Sequence, residues 1–266
     1  MQGMKALRVY VYSCAVIMLA PILITVPVAV TTTGYMVFPP KGFTLEWFVK
    51  CFQDKILLES LLRSANLAVL SAALAVLIGL LSAFAVERGT FPGKTLCETL
   101  FAGPQMIPQI IFVVALLIFY EKISLNETFS GLLLSHVLIG LPFSFRTLLV
   151  SVGSLDRRQE WSAEILGATT LQTFRHIILP QIKTGLIASA IFTFMLSFNN
   201  VTFALFLAGV GKKTLPVEMF QRLQIGGITP AIPAISFLLT IFGVFIFILA
   251  DRTVGVYRYL GGGSNK

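Results

Sequence analysis

Six apolar runs, each long enough to cross a lipid bilayer, constrain this chain more than any other feature of its sequence. A spanning helix needs about 20 apolar residues, because the hydrocarbon core is about 30 Å thick and a helix rises about 1.5 Å per residue. The composition agrees, with 56% hydrophobic residues, 12% charged residues and a mean hydropathy of +0.87. The sequence therefore predicts an all-α polytopic membrane protein with six transmembrane helices. The predicted spans are residues 9–31, 61–86, 100–120, 129–150, 185–208 and 231–250.

The distribution of lysine and arginine predicts the orientation, because these residues stay preferentially on the cytoplasmic side. With the N-terminus inside, twelve of them fall on the cytoplasmic side and eight on the outside. Both termini and the polar segment between the fourth and fifth runs are then cytoplasmic. The net charge of +8 is explained by this topology and by contact with lipid headgroups. We expect no nucleic-acid partner, since the sequence has no basic stripe with interleaved aromatic residues.

The polar segment at residues 156–180 carries two helix-start signals. Asp156 with Gln159, and Thr169 with Gln172, have the spacing of a capping box, in which side chains bond to the free N–H groups of a helix start. The segment is therefore predicted to contain two short helices.

Gly167 lies between these two helices and suits the left-handed position that ends a helix. Pro180 is predicted to end the second helix, because proline disfavours the α conformation in the residue before it. A DNA-binding helix-turn-helix is one alternative, but such a domain needs a third helix and a core of its own. A solvated loop without a partner is the other.

This segment resembles the EAA loop of permease subunits of binding-protein-dependent ABC importers. The family's Glu-Ala-Ala falls on Trp161, Ser162 and Ala163, so a tryptophan stands at the position of the signature glutamate. Glu160 precedes it and Glu164 follows one helical turn later. The matching residues are Ala163, Gly167, Ala168, Phe174, Ile177, Leu179 and Pro180.

The resemblance implies a type I ABC importer permease that is not itself an enzyme and holds no metal or cofactor. Two permeases, alike or different, would form the pathway, two ATPase subunits would bind ATP and Mg²⁺, and a binding protein would deliver the solute. The second helix would be anchored on the bundle by Phe174. The expected ATPase-coupling residues are Glu160, Ser162, Ala163, Glu164, Leu166, Gly167, Ala168, Phe174 and Pro180.

Further stretches are similar to the second permease of the spermidine/putrescine importer group, which implies the bacterial inner membrane. They read FTLEWF, ERGTFPGK, SHVLIGLPF, SFNNVTFALFLAG, KKTLPVEMF and TPAIPAIS. Polyamine permeases tend to carry acidic residues where this chain has Asn199 and Asn200, so a polyamine and a zwitterionic or anionic amine-bearing solute both remain open. The expected divisions are residues 1–58, with an external connection long enough for a small interfacial helix, residues 59–251 as the transmembrane domain, and a cytoplasmic tail at 252–266.

One predicted helix carries a line of polar residues. Ser189, Thr193 and Ser197 recur every four residues, Asn200 continues that face, and Asn199 adjoins it. Polar groups in a bilayer need partners or water, so the line predicts a solute pathway. Packing between helices is the alternative for the serine and threonine residues.

The third run adds Gln105 and Gln109, which lie four residues apart on one predicted helix face beside Pro104 and Pro108. They are pathway candidates, with a kinked packing helix as the alternative. His136 stands alone among apolar residues and is interpreted as a hydrogen-bonded packing residue.

The sequence contains no motif typical of an enzyme site, neither a phosphate-binding glycine loop nor a nucleophile with its base. An ion-coupled secondary transporter is the alternative function. Such a protein would use carboxylates inside the membrane, whereas Asp and Glu here are confined to loops and helix ends.

Overall fold

The computed structural model describes residues 2–209, 211–225, 227 and 229–254. This part of the chain forms helices joined by turns and short connections. The helices are α1 (Gln2–Ala29), α2 (Glu46–Gln53), α3 (Lys55–Arg88), α4 (Lys94–Met106), α5 (Gln109–Lys122), α6 (Phe129–Gly153), α7 (Arg157–Ile165), α8 (Thr170–Thr173), a π-helical segment (Phe174–Ile178), α9 (Leu179–Phe198), α10 (Thr202–Leu207), α11 (Leu215–Ile225) and α12 (Ala231–Val254).

Five stretches within the described residues are long and apolar enough to span a membrane, and the pair α4–α5 would make a sixth. The pair is bent by 103°, so the prediction of one span over residues 100–120 is wrong in its geometry. The break lies at Ile107, which is extended (φ −90°, ψ 132°) because Pro108 follows it. Pro104, by contrast, stays inside α4.

The predicted span at residues 185–208 is also wrong in its bounds. Helix α9 ends at Phe198, and α10 begins only at Thr202. Asn199 and Asn200 therefore lie in a break between two helices, and the polar face of α9 does not continue through them. The continuous helical stretch that qualifies as a span by length and composition instead begins earlier, at Thr170, and ends at Phe198.

Pro180 does not end the second helix of the polar segment, which corrects that prediction. Leu179 before it is helical (φ −56°, ψ −43°), and its N–H bonds to the carbonyl of Phe174, five residues back. This wider π turn accommodates a proline that cannot donate a hydrogen bond to the helix. The second helix is therefore continuous with α9.

The chain divides into two compact units, residues 1–59 with 218–246 and residues 60–217 with the described residues from Phe247 on. This differs from the expected division, which kept residues 59–251 together. Most of the expected tail at 252–266 cannot be compared, since residues 255–266 lie outside the described residues.

In the first unit, Trp47 Nε1 donates to the Thr31 carbonyl at 2.8 Å, and the ring centroids of Phe48 and Phe237 lie 6.3 Å apart.

A charged network lies in the first unit beside the start of α3. Arg222 donates to both carboxylate oxygens of Asp54, at 2.6 and 3.2 Å, and its Nε donates to Glu218 at 2.8 Å. The hydrogen bond from Arg222 holds the pKa of Asp54 below its usual value. This network ties α11 to the start of α3.

In the second unit, α6 packs along α9 and against α3. Phe145, Leu148 and Val152 of α6 are buried with Ala83 and Val86 of α3. A side chain at Gly140 of α6 would collide with Thr193 of α9. The absence of a side chain at Gly140 therefore lets the two helices approach closely.

Candidate functional site

The two helix starts of the polar segment are capped differently. Asp156 caps α7 by accepting from the Arg158 N–H at 2.9 Å, but the side chain of Gln159 bonds to Gln181 instead of closing a capping box, so that part of the prediction is wrong. The predicted box before α8 is confirmed, since Gln172 N–H donates to Thr169 Oγ1 and Thr169 N–H donates to Gln172 Oε1.

The predicted turn at Gly167 is confirmed, with φ at +84°. The N–H of Gly167 donates to the Glu164 carbonyl and the N–H of Ala168 to the Ala163 carbonyl, both at 3.0 Å. This paired pattern satisfies two carbonyls at the end of α7 and fixes the direction in which the chain leaves it. The turn is therefore defined by hydrogen bonds among its own residues.

The helical hairpin displays four large apolar side chains, which we call the tip surface: Trp161, Ile165, Leu166 and Leu171. They are 58%, 85%, 86% and 74% exposed. Ser162 and Glu164 are also exposed, whereas Ala163 is buried against its own chain. A polar segment that presents a cluster of exposed apolar groups is typical of a surface that binds another protein.

Glu160 faces the bundle. Its carboxylate forms an ion pair with Arg88 at the end of α3, and each of the two side chains is 21% exposed. A second contact joins the same elements, since Arg157 Nη2 donates to the Glu87 carbonyl at 3.1 Å. Of the two carboxylates considered, Glu164 is the one that remains exposed.

The base of the hairpin is packed on the bundle through Phe174. Its ring meets that of Phe84 at 6.2 Å, beside a cluster of Leu155, Ile178 and Ile182. This contact agrees with the anchoring expected of Phe174. Ala168 is half-buried and Pro180 exposed.

A groove of about 560 Å³ opens beside the break between α9 and α10. Asn199 in it is exposed, and Asn200 is buried with its Oδ1 accepting from the Phe203 N–H at 2.9 Å. Asn200 thus caps α10. None of the described lining residues is charged. The lining residues are Gln109, Phe143, Phe192, Met195, Leu196, Asn199, Asn200, Val201 and Thr202.

Ser189, Thr193 and Ser197 are buried within the chain and do not line this groove. Ser197 Oγ accepts from Ser71 of α3 at 2.9 Å and lies 2.8 Å from Nδ1 of His136 on α6. Ser189 bonds to the carbonyl of its own helix at Leu186. The three residues have the surroundings expected of helix packing, as does His136.

Gln105 and Gln109 are separated by the break at Ile107, so the prediction that they share a helix face is wrong. Both are exposed, but only Gln109 lines the groove.

The apolar lining residues were not predicted. In a sequence, a phenylalanine that lines a pathway cannot be distinguished from one that faces lipid. Among the described residues, no three His, Cys, Asp or Glu side chains form a metal-binding group.

Comparison with known proteins shows the family. The family model of the binding-protein-dependent transport system inner membrane component matches residues 75–257. The chain is 28% identical to the spermidine/putrescine transport system permease protein PotC of Haemophilus influenzae, over 79% of this chain and 82% of that one. It is 29% identical to the trehalose transport system permease protein SugB of Mycobacterium tuberculosis, over 75% and 78%.

Solved structures show the same fold. A chain of a bacterial ABC transporter that imports the acidic polysaccharide alginate matches with a TM-score of 0.72 at 15% identity, over 93% of this chain and 95% of that one. A chain of the methionine ABC transporter MetNI in an inward-facing conformation matches with a TM-score of 0.59 at 21% identity, over 75% and 94%. The chain therefore belongs to the family of binding-protein-dependent transport system inner membrane components and is the permease subunit of an ABC importer, in which a partner ATPase hydrolyses the ATP.

Proposed function

We propose that this permease pairs with a second permease in a bacterial inner membrane, with both termini in the cytosol, to import a small amine-bearing solute. Two ATPase subunits bind ATP and Mg²⁺ on the cytosolic side, and a solute-binding protein delivers the solute from outside. A related alginate transporter has been seen in complex with a solute-bound periplasmic protein. The observation that carries the proposal is the exposed tip surface on a capped hairpin.

The tip surface is suited to a groove on an ATPase subunit. Its four apolar side chains would lose contact with water on binding, which contributes roughly 25 cal/mol per Å² of apolar surface buried. Arg158 is exposed on α7, where it is available to acidic residues at the rim of such a groove. Trp161 takes the place of the family's glutamate at this surface, so its contact with the ATPase is apolar.

A cysteine at position 164 tests this docking. We expect Glu164→Cys to crosslink to the ATPase subunit in a nucleotide-sensitive manner, because this side chain is exposed beside the tip surface. Ala163→Cys is the matched control, since that position is only 8% exposed and should crosslink poorly. Labelling of the position 164 cysteine by an impermeant reagent from outside the cell would contradict both the topology and the docking.

The groove beside Asn199 is proposed as this chain's part of the solute pathway. The side chains of Asn199 and Gln109 offer amide oxygens as hydrogen-bond acceptors, and Phe143 and Phe192 offer ring faces. Ring faces attract ammonium groups, and none of the described lining residues is a lysine or arginine that would repel them. The relatives named for spermidine and putrescine transport point to the same class of solute.

Uptake of labelled spermidine by cells that express the complete transporter tests the solute class. We expect unlabelled putrescine to compete and trehalose not to compete. Loss of uptake when the ATPase subunit carries an inactivating substitution is the control for active import. Competition by trehalose alone would contradict the amine assignment while leaving the importer function intact.

A further inference from the structure

The ion pair between Arg88 and Glu160 joins α7 to the rest of the chain in a way that backbone connectivity does not. Helix α7 is linked to α6 by the short connection around Leu155 and to α8 by the turn at Gly167. Gln181 of α9 also donates a hydrogen bond of 2.8 Å to Gln159 of α7. Neither the chain connections nor this bond fixes α7 to α3, whereas Arg88 and Arg157 do so through Glu160 and the Glu87 carbonyl.

This contact is built at the end of α3. Arg88 Nη2 donates to Glu160 Oε1, and one turn earlier on α7 the Arg157 guanidinium donates to the Glu87 carbonyl. The Nε of Arg88 is buried without a hydrogen-bond partner, so the guanidinium is held chiefly by Glu160. A charge that is largely removed from water and held by one partner resists separation from it, because separation leaves it unpaired.

Helix α3 leads from this contact to the groove. It runs without proline from Lys55 to Arg88, and Ser71 lies about 25 Å from Arg88 along its axis at 1.5 Å per residue. Ser71 Oγ donates to Ser197 Oγ at 2.9 Å. Ser197 lies two residues before Asn199, at the end of α9 where the groove opens.

We propose that the Arg88–Glu160 pair is the positioning link that makes α7 move as one body with α3, so that displacement of the tip surface by the ATPase reaches the groove at Asn199. The inference rests on the proposed docking of the tip surface. It gives Glu160 a role inside the chain and leaves contact with the ATPase to Trp161 and its neighbours. Arg88 and Glu160 are positioning residues in this proposal, since neither contacts solute or nucleotide.

Labelling of a cysteine in the groove tests the link without a solute. In a background where Cys14, Cys51 and Cys97 are replaced by alanine, Asn199→Cys is introduced into the permease. The purified complex with its partner permease and ATPase subunits is labelled with a maleimide, with and without ATP and Mg²⁺. We expect nucleotide to change the labelling rate, and Glu160→Gln or Arg88→Gln to reduce that change about fivefold or more, as for a typical coupling between sites.

The reversed pair, Arg88→Glu with Glu160→Arg, should restore the response. The matched control is Glu46→Gln, which breaks an exposed ion pair with Lys50 and should leave the response unchanged. Rates are measured on assembled complex, so a lower yield of a variant does not affect the comparison.

Three results would overturn the link. The first is a full effect of nucleotide on the labelling rate in both single variants. The second is a reversed pair that assembles without regaining this effect, and the third is a parent complex whose labelling rate does not change with nucleotide. Failure of the ATPase to copurify with the parent permease would instead overturn the proposed docking.

Discussion

Replacing Gly167 by valine is expected to leave the protein inserted in the membrane and to raise the ATP hydrolysed per solute imported by about tenfold. Gly167 has φ at +84°, a conformation that costs an L-residue roughly 1–2 kcal/mol and a β-branched one more. Apart from Gly167 itself and its two chain neighbours, no atom of the described residues lies within 4 Å of the position that a Cβ would occupy, so the effect comes from the backbone and not from a collision. A cost of about 1.4 kcal/mol lowers the equilibrium constant between the native turn and its alternatives tenfold.

Gly167→Asn is the matched control, because asparagine enters the left-handed region more readily than other side chains. It should keep most of the coupling, whereas Gly167→Ala should fall between asparagine and valine. The measurement is solute uptake alongside ATP hydrolysis by the same reconstituted transporter. Normal coupling in Gly167→Val would show that the ATPase tolerates a reoriented tip surface.

The features that the sequence predicted correctly are local ones. Thr169 and Gln172 form the predicted capping box, and Gly167 forms the predicted turn. Each signal lies within a few residues of the structure that it specifies. The six predicted apolar runs likewise fall on the five candidate spans and on the bent pair α4–α5 among the described residues. Bilayer thickness fixes the length of such runs whatever their packing.

The features that the sequence did not predict depend on contacts between distant residues. Arg88 and Glu160 are 72 residues apart, and no local pattern in the sequence marks them as partners. The polar line on α9 does not identify its own partners, since Ser71 and His136, which bond to Ser197, lie 126 and 61 residues away from it. Pro180 shows the limit of a local rule, since a π turn accommodates it inside a helix.

Asn199→Leu is expected to reduce solute uptake about tenfold without lowering the yield of assembled complex. Asn199 is exposed and lines the groove. Unlike Asn200, it forms no helix cap with its side chain among the described residues. A solute that sheds water in the pathway would lose a hydrogen-bonding partner, at a cost of about 1–3 kcal/mol. Uptake and assembly are measured side by side, by labelled spermidine and by copurification of the ATPase.

Asn200→Leu should behave differently, because Asn200 is buried and its Oδ1 caps α10 at the Phe203 N–H. Loss of a cap costs about 1 kcal/mol, so we expect less assembled complex and only a proportionate loss of uptake. Asn200→Asp keeps an acceptor oxygen and should retain the cap. If Asn199→Leu assembled fully and transported normally, the groove would not be the pathway. If Asn200→Leu assembled fully yet failed to transport, Asn200 would act on the solute directly, since its capping role predicts a loss of complex first.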